Sequence, residues 1–421
     1  MKARTIVATV SVLCAPFPCP AFESLEDISW PATGIFPAYP VEEPDKRNVR
    51  FSVFGGAMYD DNLFRLSDSV NPATIGVTDK SDTVVRAGGD FKADLPAGRQ
   101  HFLLDGRVER RDYDKNSFLD HTPYRAGAAW KWLAGEDWRG DIGYRRQKRL
   151  ASLAELQAPI KDLITSDWAY FSAGYSLSPR WRVRGGYDWS EYEHSATVRR
   201  SLDNETSVVT GGIDYVTPAG SSVGAQVKYT DGRYPNREFV AGSLVDNSYE
   251  ETEASAVTRW VVTGKSVLKG RIGYTNRQHD QVPQRDFEGW TGRGDLDWFV
   301  GAKTLVALAA WREIQSTEDV SASFVLSKGW SVGPRWAPTE KFVFQARYVR
   351  EDRDYRGDPR FVVTGLPERE DTFRGLLVSA GYAPLRSTEL AIAVETGERD
   401  SNIPLRDYDD TTVSVNARFR F

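Results

Sequence analysis

The chain has 421 residues, with 54 Lys and Arg against 59 Asp and Glu for a formal charge of −5, and with 13 Trp and 18 Tyr but only 2 Met and 2 Cys. This charge balance argues against a nucleic-acid binder, and no apolar run past the N-terminus is long enough for a transmembrane helix. A mean hydropathy typical of soluble proteins, combined with many aromatics, suits strands of which only alternate residues meet lipid.

The N-terminus has the layout of an export signal: Lys2 and Arg4, then an apolar core from Ile6 to Ala15, then Cys19-Pro20-Ala21 as a small-residue cleavage site. Residues 1–21 are therefore expected to be a signal peptide, whose removal takes both cysteines with it. Residues 22–48, rich in Pro and acidic side chains, predict a periplasmic N-terminal extension. A barrel domain is expected over 49–421.

From Arg50 onward one grammar repeats: an alternating run, a tight turn, another alternating run, a longer polar loop. Leu95-Pro96-Ala97-Gly98, Ala134-Gly135-Glu136-Asp137, Leu177-Ser178-Pro179-Arg180 and Thr217-Pro218-Ala219-Gly220 are the first four tight turns. Thr263-Gly264-Lys265, Gly301-Ala302-Lys303, Ala337-Pro338-Thr339-Glu340 and Ala383-Pro384-Leu385-Arg386 continue the series. Gly and Pro reverse a chain quickly, and the intervening connections are longer and more charged. Eight such turns among nine longer connections predict about eighteen strands.

Individual strands support the count. Trp181, Val183, Gly185, Tyr187 and Trp189 alternate with Arg180, Arg182, Arg184, Gly186 and Asp188. Residues 321–336 fit less well, because Lys328 shares a face with Phe324, Leu326 and Trp330, which predicts a bulge there. The final stretch, Asp410 to Phe421, sets Val413, Val415, Ala417, Phe419 and Phe421 against Thr412, Ser414, Asn416, Arg418 and Arg420. A last strand ending on an aromatic resembles the closing strand of outer-membrane barrels, in which Phe419 and Phe421 would act as the assembly signal. It is expected to pair with the first strand, Arg50 to Tyr59. The fold class is thus all-β, a transmembrane antiparallel up-and-down barrel in the outer membrane of a Gram-negative bacterium.

The first strand runs into Tyr59-Asp60-Asp61-Asn62-Leu63-Phe64-Arg65-Leu66. This segment resembles the signature of EpsL-type exopolysaccharide biosynthesis outer-membrane proteins, a β-barrel porin family. The resemblance implies a pore for export of an extracellular polysaccharide, working with periplasmic export proteins. The alternative is a general or oligosaccharide-specific diffusion porin. Taken by themselves, Asp60, Asp61 and Asn62 read equally well as a cluster that orders the first loop.

Catalytic chemistry finds little footing. His101, His121, His194 and His279 fall in different hairpins, and neither a nucleophile elbow nor a metal-ligand spacing occurs. No enzyme, cofactor, metal or nucleic-acid partner is expected. The expected partners are outer-membrane lipid and lipopolysaccharide, the barrel-assembly machinery, and the polysaccharide chain.

The polar faces of the strands repeatedly carry cations: Arg107, Arg139, Arg145, Arg182, Arg184, Lys269, Arg271, Arg293, Arg347, Arg418 and Arg420. Arg139, Arg182, Lys269, Arg418 and Arg420 lie beside short turns. They predict a weakly anion-attracting duct with a basic mouth at the turn end. The competing expectation is simple pairing with Glu109, Asp141, Asp295 and Asp297. At about eighteen strands the interior is too wide for side chains alone to fill. Loops 60–80, 149–166 and 231–248 are candidates to fold inward, with a short amphipathic helix over Leu153 to Ile164.

Overall fold

The structure is a computed structural model that describes residues 49–240, 243–315, 324–356 and 367–421. The signal peptide and extension expected over 1–48 lie outside the described residues. Among those residues no helix is long and apolar enough to cross a membrane, which says nothing of strands.

The chain alternates strands with short turns. In order they are β1 (Val49–Asp60), β2 (Asp82–Ala97), β3 (Gln100–Tyr113), β4 (Tyr124–Ala134), β5 (Trp138–Leu150), the one-turn helix α1 (Leu153–Leu156), β6 (Leu163–Ser176), β7 (Trp181–His194), β8 (Asn204–Val216) and β9 (Ser222–Arg233). A small hairpin, β10 (Glu238–Val240) with β11 (Ser243–Val245), sits in the next loop. The wall resumes with β12 (Tyr249–Thr263), β13 (Ser266–His279), β14 (Phe287–Gly301), β15 (Thr304–Gln315) and β16 (Phe324–Thr339). It ends with β17 (Phe342–Arg356), β18 (Glu370–Leu385), β19 (Thr388–Ser401) and β20 (Tyr408–Arg420).

All strands except β10 and β11 form one antiparallel sheet of 18 strands. It closes on itself, since β1 pairs with both β2 and β20. The closing register sets Val53 opposite Phe419, Ala57 opposite Val415 and Tyr59 opposite Val413, the apolar pairing expected from the two alternating ends. Turns of two to five residues gather at one end of the barrel, and the longer loops at the other. Gly98 and Gly135 enter the left-handed region in two of these turns, at φ 65° and 62°.

Alternation assigns the two surfaces. In β1, Phe51, Val53 and Tyr59 are exposed on the outside, whereas Ser52, Phe54 and Asp60 are buried inside. The same holds in β7 for exposed Trp181, Val183 and Tyr187 against inward Arg182, Arg184 and Asp188. The outer surface carries aromatic belts at two levels: Trp138, Trp181, Trp336 and Tyr382 towards the turns, and Tyr59, Tyr144, Tyr187, Tyr274 and Trp290 towards the loops. Between them lie aliphatic side chains such as Ile142, Val227, Ile272 and Ile392. Such a band, flanked by interfacial aromatics, is how a barrel wall meets lipid.

Two local expectations need correction. Strand β16 keeps an unbroken register with β15 from Trp336 to Val325, so no bulge occurs at Lys328. Lys328 instead pairs with Asp354 of the adjacent strand at 2.8 Å, which neutralises it in place. The register shift lies further on, between Trp336 and Thr339 at the turn. The amphipathic helix is also shorter than expected: it covers Leu153–Leu156, Gln157 follows in the left-handed region, and Leu163 and Ile164 already belong to β6.

The C-terminus is tied into the seam, with the Phe421 amide donating to the Phe51 carbonyl at 2.9 Å. Deleting Phe421 is expected to lower the yield of heat-modifiable, membrane-inserted protein while leaving the conductance of the inserted fraction unchanged. Electrophoretic mobility shifts and single-channel recordings check both halves. A truncation that inserts normally but does not conduct contradicts this expectation.

Candidate functional site: a loop latched across the barrel lumen

Tyr59–Leu66 ends β1 and starts the first long loop. Asn62 accepts the Leu66 amide at 2.9 Å and donates to the Leu66 and Asp409 carbonyls, both at 2.8 Å. Arg65 adopts the left-handed region at φ 54° and pairs with Asp60 at 2.8 Å and Asp410 at 3.1 Å. The polar members of the segment therefore turn the chain inward and hold it. Its apolar members form a core: Leu63, Phe64 and Leu66 pack with Val77, Val84, Tyr113 and Leu119. Phe64 and Leu119 are fully buried. Met58 and Leu150 from the wall and Leu153 from α1 pack against the same cluster. Three loops thus share one hydrophobic core inside the barrel, and each buried large side chain contributes about 1.5–3 kcal/mol.

That core delivers the third loop, 151–162, to the other side of the lumen. Glu155 of α1 meets Arg369 and Arg399 at 3.3 Å each and Arg353 at 3.9 Å. The Tyr355 hydroxyl donates to it at 3.3 Å. Arg399 also donates to the Ala154 carbonyl at 3.1 Å, and Arg406 to the Glu155 carbonyl at 3.2 Å. The arginines are themselves held: Arg353 by Glu351 at 2.7 Å and Arg369 by Asp371 at 2.5 Å. Gln157 donates to the Arg65 carbonyl, joining the first loop to the third. The exit of the loop is fastened at Asp162, which accepts from His194 at 2.7 Å, pairs with Arg199 at 3.1 Å and accepts the Ala196 amide at 3.0 Å. A segment that leaves the wall at β5 and returns at β6 is therefore clamped to β17 and β19.

The electrostatics favour the clamp at neutral pH. Burial by itself would raise the Glu155 carboxyl, but Arg399, Arg369, Arg353 and Arg406 outweigh it and bring the pKa from 4.5 to about 2. A depressed carboxylate contributes stability that is complete above its unfolded value and is lost as pH falls through its folded value. The clamp is thus expected to hold unchanged from neutral pH down to about pH 5 and to loosen only as pH falls towards 2. A pH series of single-channel recordings checks this, and a change centred near neutrality contradicts it. Asp162 is lowered as well: burial works against it, while hydrogen bonds from His194 and the Ala196 amide bring it down.

The cations singled out from the sequence sort into two groups. Most are paired along the wall: Arg107 with Glu109 at 2.8 Å, Arg184 with Asp214 at 3.0 Å, Arg293 with Asp295 at 3.0 Å and Lys269 with Asp297 at 3.8 Å. Arg418 meets Asp90 at 3.1 Å, Arg420 meets Glu389 at 2.7 Å, and Arg145 lies 3.9 Å from Asp105. Arg271 bridges Glu253 and Glu313, and Lys228 joins Glu253 to Glu251 and so to Arg277. Pairing with Glu109, Asp295 and Asp297 is therefore realised, whereas Asp141 accepts instead from Ser172. Among the described residues Arg139, Arg182 and Arg347 have no carboxylate within salt-bridge distance. The cage residues Arg353, Arg369, Arg399 and Arg406 escaped sequence reasoning, because they lie at the ends of strands or in loops where charge reads as solvated.

Comparisons with known proteins give the fold its context. The crystal structure of the outer membrane protein OpdK from Pseudomonas aeruginosa superimposes with a TM-score of 0.47 and 11% identity over 89% of this chain and 99% of that one. A BenF-like porin from Pseudomonas fluorescens Pf-5 gives 0.48 and 11% over 89% and 99%. OccAB3 from Acinetobacter baumannii gives 0.45 and 10% over 89% and 99%. No curated protein sequence matches the chain. Over residues 264–421, which hold β13 to β20 and all four cage arginines, the chain is similar to the family described as "Putative beta-barrel porin 2".

Proposed function

We propose that the protein is a diffusion porin of the Gram-negative outer membrane, a non-enzymatic channel passing small hydrophilic solutes, oligosaccharides among them. In this reading the long loops face outwards and the short turns face the periplasm, with lipid and lipopolysaccharide around the wall and the barrel-assembly machinery as the route of insertion. The observation that carries it is the Glu155 latch. It holds a loop across a charged lumen that eighteen strands make too wide for side chains alone to fill, so that solutes would be graded by size. The similarity of residues 264–421 to a porin family supports the same reading.

Export of a polysaccharide rests on the resemblance at Tyr59–Leu66. Asn62, Leu63, Phe64, Arg65 and Leu66 of that segment are engaged in packing and fastening the first loop, so the segment supports loop order more directly than a polymer path. Reconstitution in planar bilayers tests the porin reading: a steady, ohmic current is expected, and a barrel that inserts without conducting contradicts it. Deleting the gene separates the two roles, because loss of surface polymer would favour export and its retention would remove that role.

A further inference from the structure

Near the turn end of the lumen, β5, β6 and β7 bring Arg139 and Arg182 over one glycine. Gly174 of β6 pairs with Arg139 on one side and Arg184 on the other. A Cβ placed on Gly174 would lie 3.7 Å from Cδ of Arg182 and 3.8 Å from Cγ of Arg139. The two stems therefore lean over the same point, which brings both charges to one patch of the lumen wall. Nothing nearby neutralises them. Asp214, opposite Arg182 in the register, gives its carboxylate to Arg184 at 3.0 Å, and Arg184 also donates to Gln226 at 2.7 Å. Asp141, next along the inner face of β5, accepts from Ser172. Arg139 reaches only the Ser176 hydroxyl, at 3.4 Å. The Nε atoms of both arginines are buried without a hydrogen-bond partner among the described residues, while each side chain as a whole stays partly exposed.

Two like charges held together beside a low-dielectric wall repel each other, and an anion between them removes that cost. Guanidinium groups match the two oxygens of a carboxylate. We propose that Arg139 and Arg182 form an anion-binding subsite at the turn-side mouth, which takes the carboxylate of a small organic acid. Gly174 keeps the floor of this subsite open. The inference rests on the porin reading for its purpose, but its binding chemistry stands apart from conduction.

Succinate is the probe, titrated calorimetrically into the full-length barrel in detergent and, separately, present as its potassium salt in bilayer recordings. Wild type is expected to bind it. The double variant Arg139→Gln, Arg182→Gln is expected to bind about tenfold more weakly or worse and to lose anion preference in reversal potential. Gly174→Asp leaves both arginines in place and sets a tethered carboxylate between them, so it is expected to abolish succinate binding as well. Equal affinity in wild type and both variants overturns the subsite. A barrel that binds succinate in this pattern but carries no current leaves the subsite standing and removes the porin reading.

Discussion

Glu155→Gln is expected to produce the largest functional change of any single substitution: a higher and noisier single-channel conductance, with anion selectivity increased. The carboxylate lies among Arg353, Arg369, Arg399 and Arg406, and the Arg399 side chain is fully buried against it. Removing one member of a buried ionic cluster costs about 3–5 kcal/mol, because its partners lose a shared counter-charge. Three of them keep a local acid, Glu351 for Arg353 and Asp371 for both Arg369 and Arg399, so the wall stays folded. The cost falls instead on the loop. Segment 151–162 would keep its anchors at Leu153 and Asp162, but α1 would lose its ion pairs to β17 and β19. An unchanged conductance histogram would show that the clamp does not set the width of the path.

Phe64→Ala is expected to loosen the first and third loops together. Truncating a buried Phe costs about 3–5 kcal/mol, and the cavity here opens at the centre of a cluster that three loops share. The barrel wall takes little of this cost, since its strands are held by cross-strand pairing all the way round. Limited trypsin digestion should therefore cut faster at Arg65 and Lys80, while the heat-modifiable electrophoretic shift of the barrel is retained. Loss of that shift would mean that the lumenal core supports the wall itself. The two substitutions act on the same loop, one through the core under Leu153 and the other through the ion pairs of Glu155, so their effects on conductance should be less than additive.

Much of the barrel was legible because strand alternation is a local signal. Val413 to Phe421 and Phe51 to Tyr59 each announce an apolar face, and the structure sets the two side by side. Turn chemistry was equally local, as at Gly98 and Gly135. The latch was not legible for the opposite reason. Glu155 and its partners are separated by 198 to 251 positions, and no periodicity links them. Their charges fall at strand ends, where a solvated charge and a buried one look alike in sequence. The helix was overestimated because Leu153 to Ile164 mixes two signals, a single helical turn and the start of β6. Lys328 misled because an acidic partner, Asp354, sits one strand away. In the Tyr59–Leu66 segment the loop-ordering role of Asp60 and Asn62 could be read from turn chemistry. The burial of Phe64 could not, because it depends on Val77, Tyr113 and Leu119 arriving from elsewhere.

The most direct measurement is liposome swelling with the purified full-length protein and neutral sugars of graded size, from monosaccharides to long dextrans. A diffusion porin narrowed by the Glu155 latch predicts swelling rates that fall steeply with solute size, with a cutoff that moves to larger sugars in Glu155→Gln. Rates independent of size, or a cutoff that the substitution leaves in place, would contradict it.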